Sequence, residues 1–253
     1  MNTHAYLDHS VAVLKTRLAG SAAGSAYIPS VTAPFVTISR EAYAGATTVG
    51  EALMPMLNKA FEEDGQEWAF FDKNLLAYAL SSRNFEEGLA QFLPEDSISE
   101  IRATIGELMG LHPSLWQLEH QVAEVILQLA HVGHVVFAGR GAHVITRALP
   151  GGLHVRLVAP LETRVRRMMS IEGCDASTAE SMVTKMDAAR RRHLQASFDC
   201  DIDDAHTYDL VINTGRVSSG TAAGLIVEAL RNKVASIPSP VSASKRGGAD
   251  AWT

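Results

Sequence analysis

Cysteine is scarce in this chain: Cys174 and Cys200 are the two in 253 residues. Both sit in polar surroundings without metal-ligand spacing. That argues against a disulfide framework and points to a reducing, cytoplasmic setting. No apolar run reaches the ~20 residues that span a bilayer, so no membrane contact is expected. Met1 to Ala23 carries His and Asp and lacks a basic start followed by an apolar block; it reads as a poor signal peptide. The ten histidines form no H-x-x-x-H pair, and His131 and His134 flank an apolar run as structural residues would. The net charge of −6 argues against a general nucleic-acid binder.

Lysine is scarce too, and its shortage is uneven. The chain has 6 Lys and 16 Arg, and 9 of those arginines fall between Arg140 and Arg192, accompanied only by Lys185. The guanidinium is a planar fork suited to phosphate, so a local arginine surplus in an acidic protein points to a phosphorylated small ligand. The alternative is helix-surface pairing with Glu162, Glu172 and Asp187. Hydrophobic content of 47% supports a sizeable core. The length fits one α/β domain carrying an inserted lid or small subdomain.

Short apolar runs alternate with helical patterns. Strands are expected at Phe35–Ser39, Trp68–Phe71, His134–Ala138, Leu153–Ala159 and Tyr208–Asn213. Helices are expected at Thr47–Phe61, with Pro55 kinking or interrupting it, at Trp116–His131, after Pro160, at Ser177–Leu194 and at Thr221–Val234. That order indicates a parallel sheet covered on both faces, with ligands collecting at the carboxyl ends of the strands. Arg40, Asp72, Arg140 and Asn213-Thr214 fall at such ends and suggest one shared crevice. Residues 1–33 read as an N-terminal helix and linker, 34–235 as the domain, and 236–253 as a disordered tail rich in Ser, Pro, Gly and Ala.

The first strand runs into Arg40-Glu41-Ala42-Tyr43-Ala44-Gly45-Ala46-Thr47-Thr48 and then a helix. This is the context of a phosphate-binding loop, where turn amides and the positive helix end converge on an anion. Against G-x-x-x-x-G-K-[ST], Gly45 takes the second glycine and Thr47 the hydroxyl residue. Arg40 stands at the first glycine and Ala46 at the lysine. Thr47-Thr48 also suits simple helix capping, which is compatible with phosphate binding.

Val36-Thr37-Ile38-Ser39-Arg40-Glu41, Phe70-Phe71-Asp72-Lys73 and Val136-Phe137-Ala138-Gly139-Arg140-Gly141 together resemble the cytidylate kinase-like family of P-loop proteins. The likeness extends through Leu153 to Arg167 and ends near Tyr208–Thr214. It implies a P-loop three-layer α/β fold with a five-stranded parallel sheet, a helical acceptor-binding insert (73–131) and an arginine-rich lid (177–205). It also implies phosphoryl transfer from ATP, with Mg²⁺, to a nucleoside monophosphate or another small acceptor. The family's loop usually carries a Y-G-S-G-G run without the lysine. Ala42–Ala46 has fewer glycines, and each added Cβ is expected to narrow the turn.

The resemblance assigns roles residue by residue. The amides from Ala44 through Gly45, Ala46 and Thr47 to Thr48 would hold ATP phosphates, Thr47 would offer its hydroxyl to Mg²⁺, and Arg40 would supply the missing cation. Arg164 and Arg167 would border ATP. Asp72, Arg140 and Asp187 would face the acceptor, while Arg140, Arg190 and Arg191 would stabilise the transferring group. For Arg140 a salt bridge within its turn, for Asp72 a helix cap and for Arg190–Arg192 a solvated helix face remain open. A nucleotide-binding sensor or interaction module without turnover is the alternative function.

Overall fold

A computed structural model describes residues 33–71, 115–139 and 141–238, with side chains in the 115–132 helix described from residue 122. The expected N-terminal helix, most of the insert, Asp72, Arg140 and most of the tail lie outside the described residues. The strands are β1 (Phe35–Arg40), β2 (Ala69–Phe71), β3 (Val135–Ala138), β4 (Gly152–Val158) and β5 (Leu210–Asn213). The helices are α1 (Ala46–Ala60), α2 (Leu115–Val132), α3 (Ala142–Ile145), α4 (Leu161–Glu172), α5 (Ala176–Phe198) and α6 (Ser219–Ala235).

All strand pairs are parallel, in the order β2-β3-β1-β4-β5. β1 is central: Phe35 pairs with Val135 on one side and with Gly152 on the other. The chain therefore leaves β1 toward one edge and later crosses to the opposite edge, which opens a crevice at the carboxyl end of β1. This is the three-layer P-loop α/β fold that the sequence implied.

The alternation of side chains along each strand sends two different surfaces to the two faces. Val36, Ile38, Val155 and Leu157 pack with Val49, Leu53 and Leu57 of α1 and with Ile226 and Leu230 of α6. Phe35, Phe71 and Phe137 pack with Val125, Ile126 and Leu129 of α2. Each such large side chain contributes about 1.5–3 kcal/mol by leaving water. On that second face the central strands carry a polar set further along: Thr37, Ser39, His154 and Arg156, all buried.

One expectation needs correcting, and one helix is new. The expected interruption at Pro55 does not occur: α1 continues from Ala46 to Ala60. Proline deprives the carbonyl four residues back of its partner. Here Pro55 and Glu51 both lie on the exposed side, where water can serve that carbonyl. The four-residue α3 was not anticipated; it follows the Gly139–Gly141 turn directly.

Candidate functional site

The turn between β1 and α1 is tethered from behind at each successive carbonyl. Ala42 O accepts from Arg164 Nη1 at 3.4 Å and Tyr43 O from Arg167 Nη1 at 3.3 Å. Ala44 O accepts from Thr214 Oγ1 at 2.7 Å. The Ala42 amide donates to Asp187 Oδ1 at 2.6 Å. Glu41 Oε2 accepts the Ala159 amide at 2.8 Å and lies 3.3 Å from Arg164 Nε. The turn is thus held by α4, α5 and the end of β5 rather than by its own flexibility.

The two alanines flanking Tyr43 are both buried. Ala42 is wholly buried with Met168, Ala179 and Val183, between α4 and α5. Ala44 is 1% exposed and belongs to the core under α1 and α6. Their methyl groups act as pegs on the rear side and do not narrow the front. Left-handed backbone falls at Gly45, φ 81°, and at Tyr43, φ 57°. Tyr43 is held there by its carbonyl bond to Arg167 and by its hydroxyl, which donates to Glu172 at 2.8 Å. Burial and then that carboxylate push the Tyr43 phenol up to about 12.

The front of the turn differs. The first α-helical bond of α1 runs from Val49 N to Gly45 O, so the amides of Ala46, Thr47 and Thr48 precede it. Among the described residues no side chain caps this helix end. Thr47 and Thr48 are exposed. The Ala44 amide, expected among the phosphate donors, instead closes the turn onto Glu41 O at 3.2 Å.

Arg40 ends β1 and reaches the G-R-G turn. Its guanidinium lies over Gly139, φ 93°, where any Cβ would collide with Nη1. Gly139 is required by its left-handed backbone, while a side chain there would also displace the Arg40 guanidinium. The S-R-E and G-R-G elements meet at one place, as the strand-end pattern implied. Arg140, between the two glycines, lies outside the described residues, as does Asp72.

The remaining predicted arginines divide by their surroundings. Arg164, expected beside ATP, is 7% exposed and pairs with Asp187 at 2.5 Å as well as with Glu41, behind the turn. Arg167 also lies behind it, donating to Tyr43 O and to both oxygens of Thr214. Asp187, expected at the acceptor, serves the turn from below through Ala42 and Arg164. Arg191 is spent on Asp203, with contacts of 2.6 and 3.0 Å. Arg190 is half-buried, and its contact with Asp187 is a long 3.4 Å. Burial lowers its pKa, partly countered by Asp187 and reinforced by the charges of Arg156 and Arg164.

Several structural anchors went unassigned in the sequence. Arg156, in the middle of β4, is buried and donates to Ser39 Oγ at 3.0 Å and to Asp203 Oδ1 at 2.9 Å. Tyr208 donates to Ile202 O at 2.9 Å and stacks on His143 with ring centroids 4.8 Å apart. These contacts fasten the segment after α5 to the sheet. A lone charge inside an apolar strand was the available signal for Arg156, because such a charge must find a partner.

The sequence model of the cytidylate kinase-like family matches residues 35–216, and the chain belongs to that family. A cytidylate kinase of Methanocaldococcus jannaschii is 22% identical over 151 residues, covering 59% of this chain and 85% of that protein. A uronate isomerase of Corynebacterium glutamicum is 31% identical over 98 residues, covering 39% of this chain; the chain spans 19% of that protein's length. A crystal structure of an uncharacterized protein from Eubacterium ventriosum superposes with a TM-score of 0.56 at 22% identity, covering 79% of this chain and 98% of that one. That likeness shows the fold.

Proposed function

We propose that the chain is an ATP- and Mg²⁺-dependent phosphotransferase acting on a nucleoside monophosphate, cytidylate-like, or on another small acceptor. The observation that carries this reading is the two-sided turn: every carbonyl from Ala42 to Ala44 is engaged behind it, while first-turn amides and two exposed hydroxyls face outward. Family membership supports the same reading. In this role Gly45, Ala46, Thr47 and Thr48 hold phosphate oxygens through their amides, a geometry that needs no reorganisation at the moment of transfer.

The residues present fit a nucleotide-borne magnesium ion. Among the described residues no group of three or more His, Cys, Asp or Glu comes together, and Thr47 offers a hard oxygen at the helix start. Such a site suits an ion held mainly by phosphates and water. When bound, the ion would neutralise charge on the phosphate chain. Arg40 at the strand end brings positive charge to the crevice. Arg190, weakly matched by Asp187, is the described arginine best placed to exchange its partner for a phosphoryl oxygen. Arg140 and Asp72 keep their assignment to the acceptor through the family motif.

The test is turnover of ATP·Mg²⁺ with CMP, dCMP, UMP and AMP, read as nucleoside diphosphate formed. At least one acceptor should be phosphorylated, and Arg140→Ala should reduce the rate about 10³-fold or more, within the arginine range for phosphoryl transfer. No product from any acceptor, with Arg140→Ala indistinguishable from wild type, would sink the catalytic reading. A second reading, nucleotide binding without turnover, is favoured by Ala46: it occupies the lysine position, and its methyl packs on the core. Calorimetric binding of ATP·Mg²⁺ without product would select it.

A further inference from the structure

We infer that Thr214 is a positioning residue for the phosphate chain, acting through the direction of the Gly45 amide; this deepens the function proposed above and rests on it. In a trans peptide the carbonyl of one residue and the N–H of the next point in opposite directions. The described residues contain no cis peptide. Whatever holds Ala44 O therefore aims the Gly45 N–H the other way, away from the sheet and toward the open side of the turn. The group that holds it is the Thr214 hydroxyl, just past the carboxyl end of β5 and 170 residues along the chain.

The hydroxyl has one proton and two acceptors within reach. Ala44 O lies at 2.7 Å and Val158 O at 3.3 Å, so the proton belongs to Ala44. Arg167 removes the remaining freedom. Its Nη1 donates to Thr214 Oγ1 at 3.1 Å and its Nη2 to Thr214 O at 2.7 Å, so the hydroxyl oxygen accepts from Arg167 while its proton goes to Ala44 O. The Thr214 amide donates to Val158 O at 2.9 Å, which fixes the residue to β4. Thr214 is 6% exposed, so this arrangement is shielded from competing water. Gly45 then adopts φ 81° and opens α1. A chain with few glycines and no lysine in its turn thus draws the aim of its first phosphate-facing amide from a strand at the sheet's far edge.

The experiment compares Thr214→Val, which keeps the shape and removes the hydroxyl, with Thr214→Ser, which keeps the hydroxyl. Binding of ATP·Mg²⁺ and of adenosine is measured by calorimetry on the full chain, with thermal unfolding alongside. Thr214→Val should bind ATP about tenfold more weakly, the worth of one well-aligned hydrogen bond to a charged group. Adenosine, lacking phosphates, should bind as it does to wild type, and Thr214→Ser should recover ATP affinity to within about twofold. Equal weakening for ATP and adenosine, or ATP affinity unchanged in Thr214→Val, would overturn the positioning role while leaving the functional reading intact. Failure of wild type to bind ATP would overturn both. Should Thr214→Val not fold, Arg167→Met provides the second arm, since it frees the Thr214 hydroxyl to turn; the same selective loss for ATP is expected, and its absence counts against the role.

Discussion

The rear and the front of the β1–α1 turn are built on opposite principles. Behind it, Glu41, Ala42, Tyr43 and Ala44 are each engaged by groups from α4, α5 or the end of β5. In front, three consecutive amides and the Thr47 and Thr48 hydroxyls have no described intramolecular use. Stability is invested on one side so that the other can remain unsatisfied, which is the general condition of a binding site. Substitutions behind the turn should therefore register first as lost stability, and those in front as lost binding.

Arg164→Ala tests the rear most severely. It removes the cation shared by Asp187 and Glu41, whose side chains are 18% and 24% exposed, and leaves Asp187 only its longer contact with Arg190. Breaking a buried pair costs about 3–5 kcal/mol, and the partial exposure of the carboxylates places this case near the lower end. Thermal unfolding should fall by roughly 6–12 °C on the scaling for domains of this size. A fall below about 2 °C would show that the rear contacts do not hold the turn.

Acidification supplies a control remote from the turn. His143 of α3 and His154 of β4 are both buried, 5% and 8% exposed. Burial lowers each to about 4, against an ordinary value near 6.5. Between these values the unfolded chain binds more protons than the folded one, so stability is full above about pH 6.5 and falls as pH drops toward 4. One such histidine accounts for a loss on the order of 2 kcal/mol from pH 7 to 5. Denaturant unfolding at both pH values should show the same loss in wild type and in Arg164→Ala, because distant sites add. A loss that disappears in the variant would mean that turn and sheet face are one coupled unit.

Gly45→Ala sits on the boundary between the two sides. The left-handed backbone at φ 81° costs a residue with a Cβ about 1–2 kcal/mol. The added methyl would lie 3.4 Å from Arg167 Nη1, an ordinary contact that the arginine can accommodate. A melting temperature lower by a few degrees together with weaker ATP binding is expected. Full stability with full affinity would show that this φ does not matter to the site.

Short apolar runs alternating with helical patterns made the five parallel strands and the five longer helices legible, because strands buried on both faces read as continuous apolar runs. The meeting of Arg40 with Gly139 was legible as two strand ends, since parallel strands place their carboxyl ends together. The use of Arg164, Arg167 and Asp187 was not. Helical spacing shows which residues share a face, but not that Ala42 is inserted between α4 and α5 and carries its backbone into their reach. The same limit hid the role of Thr214, whose partner Ala44 is remote in sequence.

Thr47→Val is the mildest change and the cleanest probe of the front. Thr47 is exposed in the first turn of α1, and its side chain makes no described hydrogen bond that the fold would lose. A substitution of this kind normally alters stability by less than about 0.5 kcal/mol, so the melting temperature without nucleotide should stay within 2 °C of wild type. If the hydroxyl faces the phosphate-bound ion, Mg²⁺-dependent turnover should nonetheless fall by about tenfold or more, the scale of one lost interaction to a charged group. Raising the Mg²⁺ concentration should recover part of that loss, because the remaining ligands are phosphates and water. A variant that loses stability but keeps its turnover would reverse the division between rear and front.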